Sequence, residues 1–213
     1  MPALLAVGGA LLPLAYLALL VDYGATFFLR ARTHGRTPHL IVLVVLHLGY
    51  LVLWGLEMGH APVTGTAEIL SVLALATAAV YAWIETAGGD RRTGVFVLLL
   101  AFLFQYLGSF LTAGSAGEPG AAPPAGGVWG GLHVLPALVA YTALAFAGVY
   151  GALYLAARRD LRRHRFGMLF DRLPPLETLG PMASRALLTG FVAMTLAIAV
   201  TPFMFGDGGG EMS

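Results

Sequence analysis

The 213-residue chain contains no cysteine and no lysine, and charged side chains make up only 11% of it. Without cysteine there can be no disulfide, no thiolate metal site, no CxxC redox pair and no CxxCH haem-attachment motif. Soluble domains carry roughly 25% charged residues, so so low a content argues against one. The sequence also has no Walker A loop, no HExxH and no GxSxG. No nucleophile–base pair is visible, and no catalytic residue is assigned.

What is abundant is apolar: 58% of the residues are hydrophobic. A membrane-crossing helix needs roughly 20 mostly apolar residues. Six runs qualify, 3–29, 40–58, 66–84, 94–113, 132–157 and 186–205. Backbone groups in lipid must be satisfied internally, and none of the runs alternates as a barrel strand does. The expected fold is an all-α membrane protein of six transmembrane helices, forming one domain over 1–205 with a disordered tail at 206–213.

All twelve basic residues are arginines, and they fall in three clusters between the runs. Arg30, Arg32 and Arg36 form the first, and Arg91 and Arg92 the second. The third is Arg158, Arg159, Arg162, Arg163, Arg165, Arg172 and Arg185. Basic loops stay on the cytoplasmic side. This places the N-terminus and the C-terminus on the outer, periplasmic side of a bacterial inner membrane, in a multi-pass chain. The first run has no basic segment before it and is expected to be a retained span, not a cleaved signal. A nucleic-acid reader would show a basic groove interleaved with aromatics. Here the arginines punctuate loops, so the lipid bilayer is the expected partner and nucleic acid is not. The segment 158–185 spaces Leu161, Met168, Leu169, Leu173, Leu176 and Leu179 among arginines, the pattern of an amphipathic stretch on the anionic inner leaflet. The outer stretch 114–131 is rich in Gly, Pro and Ala, with Trp129 as an interfacial anchor.

Polar groups at membrane depth are costly and turn toward a bundle interior or cavity. His47 falls near the middle of the second run, and Tyr50, Trp54 and Glu57 follow it at helical spacing. A packed aromatic face and a functional stripe explain this pattern equally well. His60 follows that run, and His133 opens the fifth, both on the outer side. Neutral imidazole is a good axial ligand for haem iron. Two imidazoles from different helices can bracket one haem; alternatively, His133 caps a helix and His60 is a plain loop residue. Glu57 and Glu68 flank 59–65 and can orient His60, since ligating histidines donate their second N–H to an acceptor. Gln105 is expected to bond to another helix, and Asp22 to an inner-loop arginine or the interface. Neither is assigned a function.

The segment 59–85 resembles the cytochrome c assembly family (CcsA/HemX-like membrane proteins) in its Gly59-His60, its Pro62 and its Glu68 heading a helix, with Ala67 where a tyrosine is usual. His133 and Tyr141 resemble the family's next outer histidine and the tyrosine two turns on. Leu173 to Leu179 resembles its inner loop, and Gly190-Phe191 with Thr195 its following helix. Trp54, Trp83 and Trp129 match none of the family's tryptophan-rich segment, so the resemblance is to a short or divergent member. It implies cytochrome c biogenesis: binding b-type haem non-covalently, or guiding it to the outer face for attachment to apocytochrome c. His133 and His60 would be iron ligands and His47 a mid-membrane station, with Glu57, Glu68, Tyr141 and Trp54 in support. Other cytochrome c maturation subunits would be partners, and any enzymatic activity would belong to that complex. The alternative implied is a HemX-like, non-catalytic regulator or scaffold of tetrapyrrole synthesis acting through 158–185.

Overall fold

A computed structural model describes residues 2–29, 38–88, 91–114, 127–164, 167 and 171–206. Six long helices account for almost all of them: α1 Pro2–Leu29, α2 Pro38–Met58, α3 Thr66–Gly88, α4 Gly94–Gly114, α5 Gly127–Arg162 and α6 Leu176–Gly206. Each is long and apolar enough to cross a membrane. Between 17% and 39% of each most apolar stretch is buried within the protein. The remaining apolar surface faces outward on every helix, more than a water-soluble monomer exposes. This is the surface of a multi-pass membrane protein.

The first four helices match the apolar runs closely. The last two do not. α5 begins at Gly127 and continues to Arg162, and α6 starts at Leu176, ten residues ahead of its apolar run. A hydropathy boundary marks where lipid contact ends, whereas helical hydrogen bonding continues while the residues allow it. Ala156 to Arg162 is mostly alanine, leucine and arginine, all strong helix formers. α6 takes its start from Pro174-Pro175: the Pro175 carbonyl accepts from the N–H groups of Thr178 (2.9 Å) and Leu179 (3.1 Å). His133 is therefore well inside α5 and does not cap it.

The chain divides into two compact units. One is Met1–Ala121 with Ala157–Pro174, and the other is Ala122–Ala156 with Pro175–Ser213. In the first unit, α3 packs most extensively on α4, α4 on α1, α1 on α2, and α2 on α3. This is a cyclic order of four neighbours around one interior. Tyr16, Tyr81, Ala74, Ala78, Leu98 and Ala101 are fully buried there.

The arginines between the helices differ in what they do. Arg172 donates to the Phe27 carbonyl near the end of α1, where the helix leaves carbonyls without intrahelical donors. Arg92 reaches the Leu173 carbonyl at 3.5 Å. These bonds hold the segment around 172–173 against the first unit. In the amphipathic stretch expected over 158–185, Leu173 and Leu179 are 4% and 0% exposed, whereas Leu161 is 41% exposed. Two of its apolar residues are taken into the protein, and Pro174-Pro175 open a new helix in its midst. Met168 and Leu169 lie outside the described residues, as do most of 114–131 and of the tail. Trp129 lies in α5.

Candidate functional site

Four polar arrangements stand out, three in the first unit, around His47, Arg91 and His60, and one in the second, around His133. The deepest is centred on His47, which is completely buried. Tyr16 of α1 lies 2.9 Å from its Nδ1, and Ser71 of α3 lies 3.0 Å from its Nε2. Ser71 Oγ donates to Gln105 Oε1 at 2.9 Å, Gln105 Nε2 donates to Ser109 Oγ at 3.1 Å, and Ser109 Oγ donates to the Gly9 carbonyl at 2.8 Å. The direction of every link follows from the last one. A carbonyl only accepts, so Ser109 must donate to Gly9 and accept from Gln105. The Gln105 oxygen then accepts from Ser71, and Ser71 accepts from His47. His47 therefore carries its proton on Nε2 and accepts at Nδ1 from the Tyr16 hydroxyl. The links visit α1, α2, α3 and α4 and return to α1. Both ring nitrogens are engaged, so iron ligation by His47 would require breaking one of these bonds. The expected stripe fans out from here: Tyr50 and Trp54 are half-buried, and Glu57 is exposed.

The second group is ionic and sits where α1 and α3 end and α4 begins. Arg91 lies 3.3 Å from Glu85 and 3.7 Å from Asp22. The Tyr23 hydroxyl donates to Glu85, and the Arg91 guanidinium stacks over the Tyr23 ring at 4.4 Å. Glu85 is only 6% exposed. A carboxylate so buried is tolerable because it is both paired and hydrogen-bonded. Asp22 thus finds an arginine from the segment between α3 and α4, and Gln105 the neighbouring helix α3.

The third arrangement surrounds His60. α2 ends at Met58, and Gly59 follows with φ +75°, a left-handed conformation that favours glycine. Its N–H bonds to the Gly55 carbonyl at 2.9 Å. Glu68, in the first turn of α3, accepts from Thr64 N (2.9 Å), Thr64 Oγ1 (2.9 Å) and Gly65 N (3.2 Å) on one carboxylate oxygen. Its role is to fold the loop onto the helix, a variant of the capping box. His60 instead uses the Ala61 carbonyl, 3.0 Å from Nδ1, and packs edge-on against Trp54 at 5.5 Å. It lines an open groove of about 570 Å³ together with Leu48, Leu51, Val52, Leu56 and Pro62.

His133 belongs to the second unit. Its Nδ1 lies 2.9 Å from the Ala197 carbonyl of α6, and Thr201 donates to the same carbonyl at 3.2 Å. Tyr141 is 52% exposed. His60 and His133 thus share one local arrangement. Because a carbonyl only accepts, Nδ1 must carry the proton in both. In the neutral ring the lone pair is then on Nε2. This is the tautomer a metal-ligating histidine adopts. Among the described residues, no three His, Asp or Glu side chains converge as a metal-ion site.

The sequence reading passed over Tyr16, Ser71, Ser109, Glu85 and the identity of Asp22's partner. The available signal was the presence of polar residues within apolar runs, with Gln105 and Ser109 one helical turn apart. No protein-family model, curated protein or solved structure matches the chain.

Proposed function

We propose that this protein serves cytochrome c assembly by binding haem, or guiding it, at the outer face of a bacterial inner membrane, with both termini on that side. The observation that supports this reading most is the state of His60 and His133. Each commits Nδ1 to a backbone carbonyl and keeps Nε2 as the basic nitrogen, the requirement for an axial ligand. His60 adds an apolar groove, which suits the hydrophobic body of a macrocycle. Bound there, the iron would supply a Lewis-acid centre that takes up imidazole.

The residues then have distinct tasks. The Ala61 and Ala197 carbonyls orient the two rings. Trp54 supports the His60 ring from the side, and Glu68 holds the loop that carries it. His47, already satisfied on both sides, serves the architecture of the first unit. Partner subunits would contribute thiol reduction and present apocytochrome c.

The test is the visible absorption spectrum of the detergent-purified protein, as isolated and after haem addition. The expected result is a Soret band whose haem affinity falls about tenfold or more in His60→Ala and His133→Ala, the scale seen when metal-site shells are cut. Binding no better than that of an unrelated membrane protein would remove the reading. A scaffold of tetrapyrrole synthesis working through 158–185 would then take its place.

A further inference from the structure

We propose that the C-terminal end of α5 is a binding surface for the headgroups of anionic phospholipids. Of the described arginines, Arg91 and Arg172 are partly buried and turned onto carboxylates and a backbone carbonyl, and Arg92, though exposed, reaches the Leu173 carbonyl. Arg158, Arg159, Arg162 and Arg163 are instead all exposed. They are brought together because α5 runs on past its apolar residues. Its last turn is extended by the Arg163 N–H, which bonds to the Arg159 and Asp160 carbonyls at 3.1 and 3.2 Å. His164 then leaves the helix with φ 50°.

On this helical end, Arg158 and Arg162 are four residues apart, as are Arg159 and Arg163. Side chains at that spacing start about 5–6 Å from one another. Two guanidinium forks so placed can take one phosphodiester between them, each donating two parallel N–H bonds. Leu161, 41% exposed, lies among them and offers apolar contact beside the charges. Asp160 is half-buried, and no ion pair to any of the four arginines forms among the described residues.

The position favours lipid over a soluble acidic protein. The membrane-competent span of this helix extends from Gly130 to Arg162 and so contains three of the four arginines. Guanidinium groups at the end of a span lie at the depth of lipid phosphates, and basic residues there are attracted to an anionic leaflet. The surface is separate from His60 and His133 and does not depend on what they bind.

The test uses the full chain, purified in a neutral detergent and offered equimolar phosphatidylglycerol and phosphatidylcholine, with bound lipid counted by native mass spectrometry. The expected result is about a tenfold preference for phosphatidylglycerol, lost when Arg158, Arg159, Arg162 and Arg163 are all changed to glutamine. Arg185→Gln, also exposed, should keep it. Equal uptake of the two lipids, or a preference surviving the fourfold change, would overturn the proposal. So would an acidic peptide such as polyglutamate displacing the lipid at equal charge concentration, since the surface would then be a protein-docking site.

Discussion

The first unit solves the problem of buried polarity twice, in different ways. Around His47 it uses neutral groups, each donating once along a closed course over four helices. Around Glu85 it uses ions, with Arg91 shared between two carboxylates and laid over Tyr23. The ionic group sits at the helix ends, and Asp22 remains 38% exposed there. Removing a charge from water entirely costs far more than removing a hydroxyl or amide. The difference teaches that depth selects the chemistry: neutral links in the interior, charge only where one partner still meets water.

The comparison is broken most severely at Glu85. Glu85→Ala takes from Arg91 the nearer and more buried of its two carboxylates, and we expect a loss of about 3 kcal/mol or more. Thermal unfolding in detergent would measure it, and adding Arg91→Ala should recover part of the loss. Next is Gly94→Ala. A methyl group there would overlap the Tyr23 ring and the Tyr81 hydroxyl, and overpacking of this kind costs about 2 kcal/mol. His47→Phe keeps the bulk but removes the acceptor of the Tyr16 hydroxyl and the donor to Ser71, which keeps its bond to Gln105. Interhelical hydrogen bonds in membranes average roughly 0.6 kcal/mol, so two lost links predict about 1 kcal/mol. A loss at His47 exceeding that at Glu85 would reverse the ranking by depth. The smallest change is expected for Glu57→Gln. That side chain is exposed, and surface replacements stay within about 0.5 kcal/mol.

The six helices were legible in the sequence because apolar run length carries that information almost alone. The ends of α5 and the start of α6 were not, since hydropathy does not sense Ala156–Arg162 continuing a helix or Pro174-Pro175 starting one. His47 was recognisable as a buried polar residue, but its partners come from three other helices, and no local spacing encodes which faces will meet. Ser71 looked like an ordinary small residue in an alanine-rich helix. Glu85 escaped notice because it falls just outside its apolar run, where a carboxylate is usually solvated. His60 and Glu68 were read as a histidine and its orienting carboxylate. The structure assigns the carboxylate to the loop backbone and gives the ring a carbonyl, a division that depends on the turn made by Gly59.

The closed course of hydrogen bonds also constrains how the chain can be made. Synthesis delivers helices in order, and the Gly9 carbonyl on α1 is met by Ser109 on α4, 100 residues later. His47 can already bond to Tyr16 and Ser71 when three spans have entered the bilayer. Only the Ser71 to Gln105 and Ser109 to Gly9 links await α4. A ribosome stalled before residue 105 would leave three membrane helices joined through His47, with the course still open at the Gly9 carbonyl.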